Sequence, residues 1–450
     1  MKFAILISAA LLGCMTARAQ QPAQTVPSPW TLDECIEYAR THNIDLQQQA
    51  LQVEQSAIEL NTVRNSRLPD LGANLGGNLS FGRSLVADNT YADNNQLSGS
   101  LGVSASLPLF RGGSINHQIA AGKLGLQAAA QELERVREDV AVNVMSLYLE
   151  VLFQKELVAV AEEQLTLSTQ QVERSREQVA RGKEAESRLY ENLALQARDE
   201  LSLTQSRNDL ALALLSLSQA INRPDAEGFD IEEPPYDSLA VAAMGPLRNP
   251  NDVMLYALDN RPRILAERLR LDQARRSVRT ARAAYYPQIV LSGGYGTNVY
   301  HSYASGAFNN GFWSQFRHNS SEYVSLSLNI PIFNRLATRN SVRTAKLNVA
   351  SRELALTAAE QALRKEIETA YRTADAARLK YRSAEKALES ARIAFRYESD
   401  KFAAGRSTTF DYNDAKTRMQ RAESDLIQAK YEFIFRTKIL DFYAGEPLSL

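Results

Sequence analysis

Two long runs free of glycine and proline, four short stretches of alternating apolar and small polar residues, and residue matches at a fixed spacing together predict the fold class. It is mostly α with a small β part, and its long helix hairpins are duplicated along the chain. Between Gly125 and Gly182, and again between Pro331 and Gly405, neither helix breaker occurs. At 1.5 Å per residue those runs reach roughly 85 Å and 110 Å, longer than a globular domain is wide. Leu133, Val136, Val140, Val144, Leu147 and Val151 step by three or four along the first run, the narrow apolar stripe of a coiled coil.

The duplication is read from spacing. Pro331 and Phe333 stand 223 positions after Pro108 and Phe110, and the same offset carries Lys123, Tyr148, Gly182 and Gln205 onto Lys346, Tyr371, Gly405 and Gln428. Upstream the offset is 218, matching Leu51 to Leu269, Arg64 to Arg282 and Pro69 to Pro287. The difference falls between the two strands of each copy, where a loop lengthens at little cost. Repeat 1 spans 31–223 and repeat 2 spans 251–444. A Pro-rich linker at 224–250 joins them, and a tail at 445–450 closes the chain.

Each repeat reads helix, strand, loop, strand, very long helix, Gly-marked turn, shorter helix. In repeat 1 a helix near 32–67 ends before Pro69, and strands follow at about 70–82 and 97–109. The second of these, "SLGVSASLPLFRGG" (100–113), sets Leu101, Val103, Ala105, Leu107 and Leu109 against Gly102, Ser104, Ser106 and Pro108. Repeat 2 places its strands at about 287–300 and 322–333.

The opening "MKFAILISAALLGCMTARAQQ" reads as a secretory signal peptide over 1–19: one early Lys, an apolar run too short to span a bilayer, then small residues. Cleavage after Ala19 is the expectation. "LLGC" also matches a lipobox, which would make a lipidated Cys14 the first mature residue and a membrane tether.

Bulk composition excludes several functions. With 51 basic and 52 acidic residues the net charge is −1, so nucleic acid is not an expected partner. The two cysteines and four histidines do not cluster, which leaves no zinc site, and no metal or cofactor is expected. His42, His117, His301 and His318 are scattered without a nucleophile motif, and "GGYGTN" (293–298) lies in a strand pattern rather than opening a helix, so no enzyme is expected. Cys35 reads as a small packed residue.

Four strands with an apolar face do not close a barrel, and left open they would aggregate through their edges. Closure must come from several chains, two giving eight strands and three giving twelve. The strand lengths suit a tilted bilayer span, with the apolar face on lipid and the Gly, Ser and Asn face on water. Phe81, Phe110, Tyr286, Tyr295, Tyr300 and Phe333 then form an aromatic girdle at strand ends or outward positions. The plainer alternative is a soluble coiled-coil rod capped by two hairpins.

"WTLDECIEYARTHN", "PLFRGGSINHQIAAGKLGL", "PIFNRLATRNSVRTAKLNV" and "KFAAGRSTTFDYNDAKT" resemble the TolC-like outer-membrane efflux proteins over nearly the whole mature chain. The resemblance implies a homotrimer in a Gram-negative outer membrane, extending into the periplasm. Its fold would be a trimeric α-helical barrel beneath a twelve-stranded transmembrane β-barrel. A periplasmic adaptor (membrane fusion) protein and an inner-membrane pump would dock to it, and the channel itself would only conduct.

The long helices reverse at "ARGKEAES" (180–187) and "AAGRSTTF" (403–410), where Gly182 and Gly405 suit a left-handed helix end. By resemblance these tips, Arg181, Gly182 and Lys183 with Ala404, Gly405 and Arg406, meet the adaptor. Past Gly405, Asp411 and Asp414 share a helical face. Thr408, three before Asp411, gives a helix-start reading of the same acids. The resemblance adds a carboxylate ring that constricts the tunnel. The family's gate lock pairs an Arg two past the second turn Gly with an Asp six past the first. Here Ser407 and Arg188 stand there, and Phe402 replaces a frequent Tyr, so that lock does not carry over. The expectation in its place is that Arg188 faces Asp411 or Asp414. Outside the resemblance, a structural or adhesive envelope rod that conducts nothing stays open.

Overall fold

The computed structural model describes residues 29–85, 89–225, 227–233, 245–303 and 307–448. The signal peptide reading and the lipidation reading of Cys14 lie outside the described residues. Repeat 1 contains α1 (Leu32–His42), α2 (Ile44–Asn65), β1 (Asp70–Ser80), β2 (Arg83–Leu85), β3 (Tyr91–Asp93), β4 (Gln96–Arg111), α3 (Ser114–Ala180) and α4 (Glu186–Ala220). Repeat 2 contains α5 (Pro250–Asn260), α6 (Pro262–Ala283), β5 (Gln288–Ser302), α7 (Phe312–His318), β6 (Ser321–Asn329), α8 (Ala337–Ala403) and α9 (Thr409–Tyr443).

The helices of the two repeats match in length. α1 and α5 have 11 residues each, α2 and α6 have 22, α3 and α8 have 67, and α4 and α9 have 35. A 67-residue helix is about 100 Å long. α3 begins at Ser114 and runs through Gly122 and Gly125 because α2 and α6 press against it there. A Cβ on Gly125 would stand 2.9 Å from the Gln273 side chain, and one on Gly122 would stand 3.2 Å from Leu60.

The helix expected near 32–67 is instead two helices broken at Asn43. Asn43 Oδ1 accepts from the amides of Asp45 (3.0 Å) and Leu46 (3.2 Å), capping α2, while its Nδ2 donates to the carbonyl of Ala220 (3.1 Å) at the end of α4. The position 218 residues later is Arg261, which breaks repeat 2 before Pro262. It donates to the Phe442 carbonyl near the end of α9 and to Glu138 (2.9 Å). Both repeats therefore anchor the returning helix from the same break.

α1 opens with a capping box, Thr31 with Glu34, and buries Leu32, Cys35, Ile36 and Ala39 at helical spacing. These meet Val144, Met145, Tyr148 and Leu152 of α3 and Leu217 of α4 in the main core. Cys35 is fully buried, and burial pushes its thiol up to about 12. The described end of the linker joins the same core through Phe229 and Ile231, with Ile231 bridging Trp30. The Tyr148 hydroxyl donates to the carbonyls of Trp30 (3.1 Å) and Glu232 (2.9 Å).

One antiparallel sheet, ordered β1-β4-β5-β6, unites the two repeats through the β4–β5 pairing. The register puts Leu71, Leu75, Leu101, Val103, Leu291, Tyr295, Val324 and Leu326 on one face. Asn74, Ser100, Gly102, Ser104, Gly294, Gly296, Ser321 and Ser325 share the other. Every residue of β1 and β6, the two outer strands, is exposed. Tyr300 corrects the girdle expectation: paired with Ser98, it lies on the small polar face, as does Tyr323, whose ring crosses Gly294. A second correction concerns β6, which stops at Asn329, so that Pro331 and Phe333 lie in the turn before α8. β4 continues past Pro108 with a register shift, because β1 already ends opposite Ser106 and has no need of the missing N–H.

The loops carry two elements that composition did not reveal, the β2–β3 ribbon and α7. Beyond Gly296 the β6-facing edge of β5 has no strand partner among the described residues. Side chains near α7 cover it instead: Gln315 bonds the amide and carbonyl of Tyr300 (2.9 and 2.8 Å), and Asn309 does the same for Ser302 (both 2.8 Å). Among the described residues no helix is long and apolar enough to cross a membrane.

Candidate functional site

The tips of the two long hairpins hold the residues singled out above. Gly182 and Gly405 adopt φ of +67° and +70°. At the first tip the Gly182 amide bonds the Val179 carbonyl and the Lys183 amide bonds that of Gln178, both at 2.9 Å. At the second, Gly405 bonds Phe402 (3.0 Å) and Arg406 bonds Lys401 (2.8 Å). Both are Schellman ends, which need a residue without a Cβ penalty at the left-handed position. Gly405→Ala is expected to cost the turn about 1–2 kcal/mol. The check is exchange of the Arg406 amide, which should speed up at least several-fold. Arg181, Lys183, Ala404 and Arg406 are all exposed.

Each turn is braced by a serine–glutamate hydrogen bond. In the first, the Ser175 hydroxyl donates to Glu184 Oε2 (2.9 Å) and accepts from Asn192 Nδ2 (2.7 Å). In the second, the Ser407 hydroxyl donates to Glu398. The repeat offset of 223 maps Ser175 onto Glu398 and Glu184 onto Ser407, so the same brace is built with its partners exchanged. Hydrogen bonds from Ser407 and Lys401 hold the Glu398 carboxyl below its usual range.

Thr408 caps α9, its hydroxyl oxygen accepting from the Asp411 amide (3.1 Å) and standing 2.6 Å from Asp411 Oδ2. The helix-start reading of these acids therefore holds at Asp411. Asp414 is one turn on and pairs with Arg418 at 2.6 Å. Tyr412, between the two acids, turns inward and stacks on Phe402 with ring centroids 4.7 Å apart, with Phe395 at 5.5 Å. Burial raises the Tyr412 phenol above its ordinary value.

Within the chain Arg188 meets neither Asp411 nor Asp414, which corrects the expectation. Its Nη1 binds Glu184 (3.1 Å), its Nε reaches the Thr409 hydroxyl (3.3 Å), and its guanidinium lies over the Phe402 ring at 4.6 Å. The cause is local: Glu184 stands in the turn four residues before it, and the Phe402 face offers a second cationic seat. Arg188 thus joins the first hairpin to the second.

Three features escape a reading of the sequence. Lys416 Nζ and Asp199 Oδ2 form a buried ion pair at 2.8 Å between α9 and α4, with side-chain exposures of 3% and 10%. Nothing in either residue's neighbours announces it. Tyr412 carries a weak signal, an aromatic ring between two acids. Phe410 stands 78% exposed beside the candidate ring, a large apolar surface on an otherwise polar tip.

A family model for outer membrane efflux proteins matches residues 35–223 and 255–445, one match per repeat. The outer membrane efflux protein BepC of Brucella suis is 20% identical over 348 residues, covering 77% of this chain and 72% of that one. The solved structure of CusC superposes with a TM-score of 0.76 at 19% identity, over 93% of this chain and 92% of that one. The outer membrane protein VceC of Vibrio cholerae gives 0.73 at 19% identity, over 92% and 96%. At such identities the structural likeness establishes the fold: a long α-helical part with a small β part. The family model covers both repeats and speaks for efflux rather than for a non-conducting rod. By its sequence, its duplicated hairpins and its fold, the chain belongs to the outer membrane efflux protein family.

Proposed function

We propose that three copies of this chain form a passive exit duct that passes from the periplasm through the outer membrane. A periplasmic adaptor would dock at its tips and an inner-membrane pump would drive it. The observation that carries this reading is the sheet, whose four strands have one apolar and one small polar face and whose outer strands are exposed along their whole length. Two chains would close eight strands around little more than side chains, whereas three would close twelve and leave a lumen. CusC, which shares this fold, forms a transmembrane channel. The basic tips and exposed Phe410 offer the adaptor both charge and apolar area.

Asp411 and Asp414 form the tunnel's constriction in this reading, six carboxylates around one axis. Arg188 latches it shut by holding Phe402 and Thr409. Arg188→Ala removes a cation–π contact and a hydrogen bond worth about 1–2 kcal/mol together. The resting open fraction should then rise roughly 5- to 30-fold, measured as spontaneous openings in a planar bilayer. An unchanged open fraction would show that Arg188 does not hold the gate.

The test of the function itself is the detergent-purified protein. A trimeric mass, together with cation-preferring conductance steps blocked by multivalent cations, is the expected result. A protein that dissolves without detergent and conducts nothing would overturn it.

A further inference from the structure

The helices that adjoin the sheet, α2, α3, α6 and α8, stand side by side in that order. One groove of about 870 Å³ touches all four, so it lies on the concave side of the wall they form. The stretch SVRTA occurs in both α6 and α8. Its Ser277 and Thr280 in α6, and its Ser341 and Thr344 in α8, line the groove. Two residues after each serine comes an arginine, Arg279 or Arg343, which the helix carries about 200° round, to the convex side. Lys123, Arg282, Arg339 and Lys346 share that side by the same count, and all six are exposed.

We infer that this convex basic band binds the phosphate groups of anionic phospholipids in the periplasmic leaflet of the outer membrane. The inference rests on the placement of the sheet's apolar face in the bilayer.

The charge is segregated although the chain as a whole is nearly neutral, at −1. The eleven residues next to the sheet in α3, α6 and α8 hold one, four and three basic residues respectively, and no acid. At the end of the sheet itself Asp70 is outnumbered by Arg67, Arg111 and Arg335. Farther down, Asp272 and Glu353 both bind Arg275, at 3.2 and 3.3 Å. Among the described residues none of the six convex side chains has an ion-pair partner within the chain. Six cations left without counter-charges on one face call for an anionic surface outside the chain.

The vertical order identifies that surface. Above the band runs the apolar face of the sheet, and between them Phe110, Tyr286 and Phe333 stand exposed at the strand–helix junctions. Hydrocarbon, aromatic rings and then cations are the layers of a membrane interface. Arg282 and Arg339 lie within about 3 Å of their helix ends along the axis, and Arg279 and Arg343 within about 9 Å. A headgroup layer is about 5–8 Å deep, so these four stand at the phosphates.

The test follows the unfolding midpoint of the detergent-purified protein as phosphatidylglycerol, phosphatidylcholine or inorganic phosphate is added. A ligand that binds only the folded state raises that midpoint. Phosphatidylglycerol should raise it saturably, phosphatidylcholine much less and inorganic phosphate not at all. Each basic side chain at an anionic surface is worth about fivefold in binding. Arg279→Gln, Arg282→Gln, Arg339→Gln and Arg343→Gln together should therefore raise the half-saturating phosphatidylglycerol concentration at least about 100-fold. Should that variant fail to fold, Arg282→Gln with Arg339→Gln alone should raise it about 25-fold. Arg176→Gln, Arg207→Gln, Arg392→Gln and Arg396→Gln, far from the sheet, should leave it within about twofold, because screening removes distant charges. An unchanged lipid response in the first variant would overturn the inference and leave the band to an acidic protein partner. An equal response to inorganic phosphate would overturn the lipid assignment. A protein that floats with phosphatidylcholine vesicles but does not respond to phosphatidylglycerol would overturn the inference alone. One that floats with no vesicles would overturn the membrane reading and the inference with it.

Discussion

Replacing Asp411 and Asp414 together by Ala is expected to abolish block of the channel by multivalent cations and to weaken its cation preference. At roughly 10 Å in water, one pair of unit charges is worth about 0.4 kcal/mol. A trivalent ion among the six carboxylates of the proposed ring therefore gains several kcal/mol even after salt screening halves the sum. The blocking concentration should rise at least about 100-fold. The two acids are not equal, because Asp414 pairs with the exposed Arg418, which offsets part of its charge, whereas Asp411 accepts from the Thr408 hydroxyl. Asp411→Ala alone should produce most of the change. Dose–block curves for the two single variants and the double variant decide the matter, and equal block in all of them would place the constriction elsewhere.

Lys416→Met is expected to be the most destabilising single substitution near the tips. It leaves the Asp199 carboxylate buried without its partner, at a cost of about 3–5 kcal/mol. Removing both charges, as Lys416→Met with Asp199→Leu, should recover most of that loss, since a packed apolar pair replaces a buried ion pair at little net cost. The measurement is the unfolding midpoint in detergent for the two variants. If the double variant is no more stable than Lys416→Met, the loss comes from packing and not from a stranded charge.

Much of the architecture is legible in the sequence because it is local. Gly182 and Gly405 mark turns by a backbone conformation that other residues rarely adopt, and the alternation of Leu101, Val103 and Ala105 with Gly102 and Ser104 assigns both faces of a strand. The position of Tyr300 on the polar face follows from counting in twos from Leu291. The break at Asn43 has a signal as well, since an Asn that caps the next helix stands 218 residues before an Arg-Pro that also starts one. What lies beyond reach depends on packing between distant segments. Lys416 reads as one more surface lysine until α4 brings Asp199 to it. Arg188 is drawn to Phe402, 214 positions away, by a contact that charge alone does not suggest. The serine–glutamate braces fall between these cases: the repeat offset pairs Ser175 with Glu398 and Glu184 with Ser407, and the exchange becomes meaningful only once the turns are seen in space.

The equal helix lengths of the two repeats bear on how such a protein changes over generations. A heptad deleted from α3 and from the facing stretch of α4 would shorten one hairpin by about 10 Å. In the trimer proposed above, the hairpins of repeat 2 would keep their length, and the rim would become ragged, with three tips raised and three left behind. A duct that must fit envelopes of different depth can then lengthen or shorten only through paired events in both halves of its gene. The duplication that produced the fold also turns its length into a ruler with two scales that have to be re-cut together.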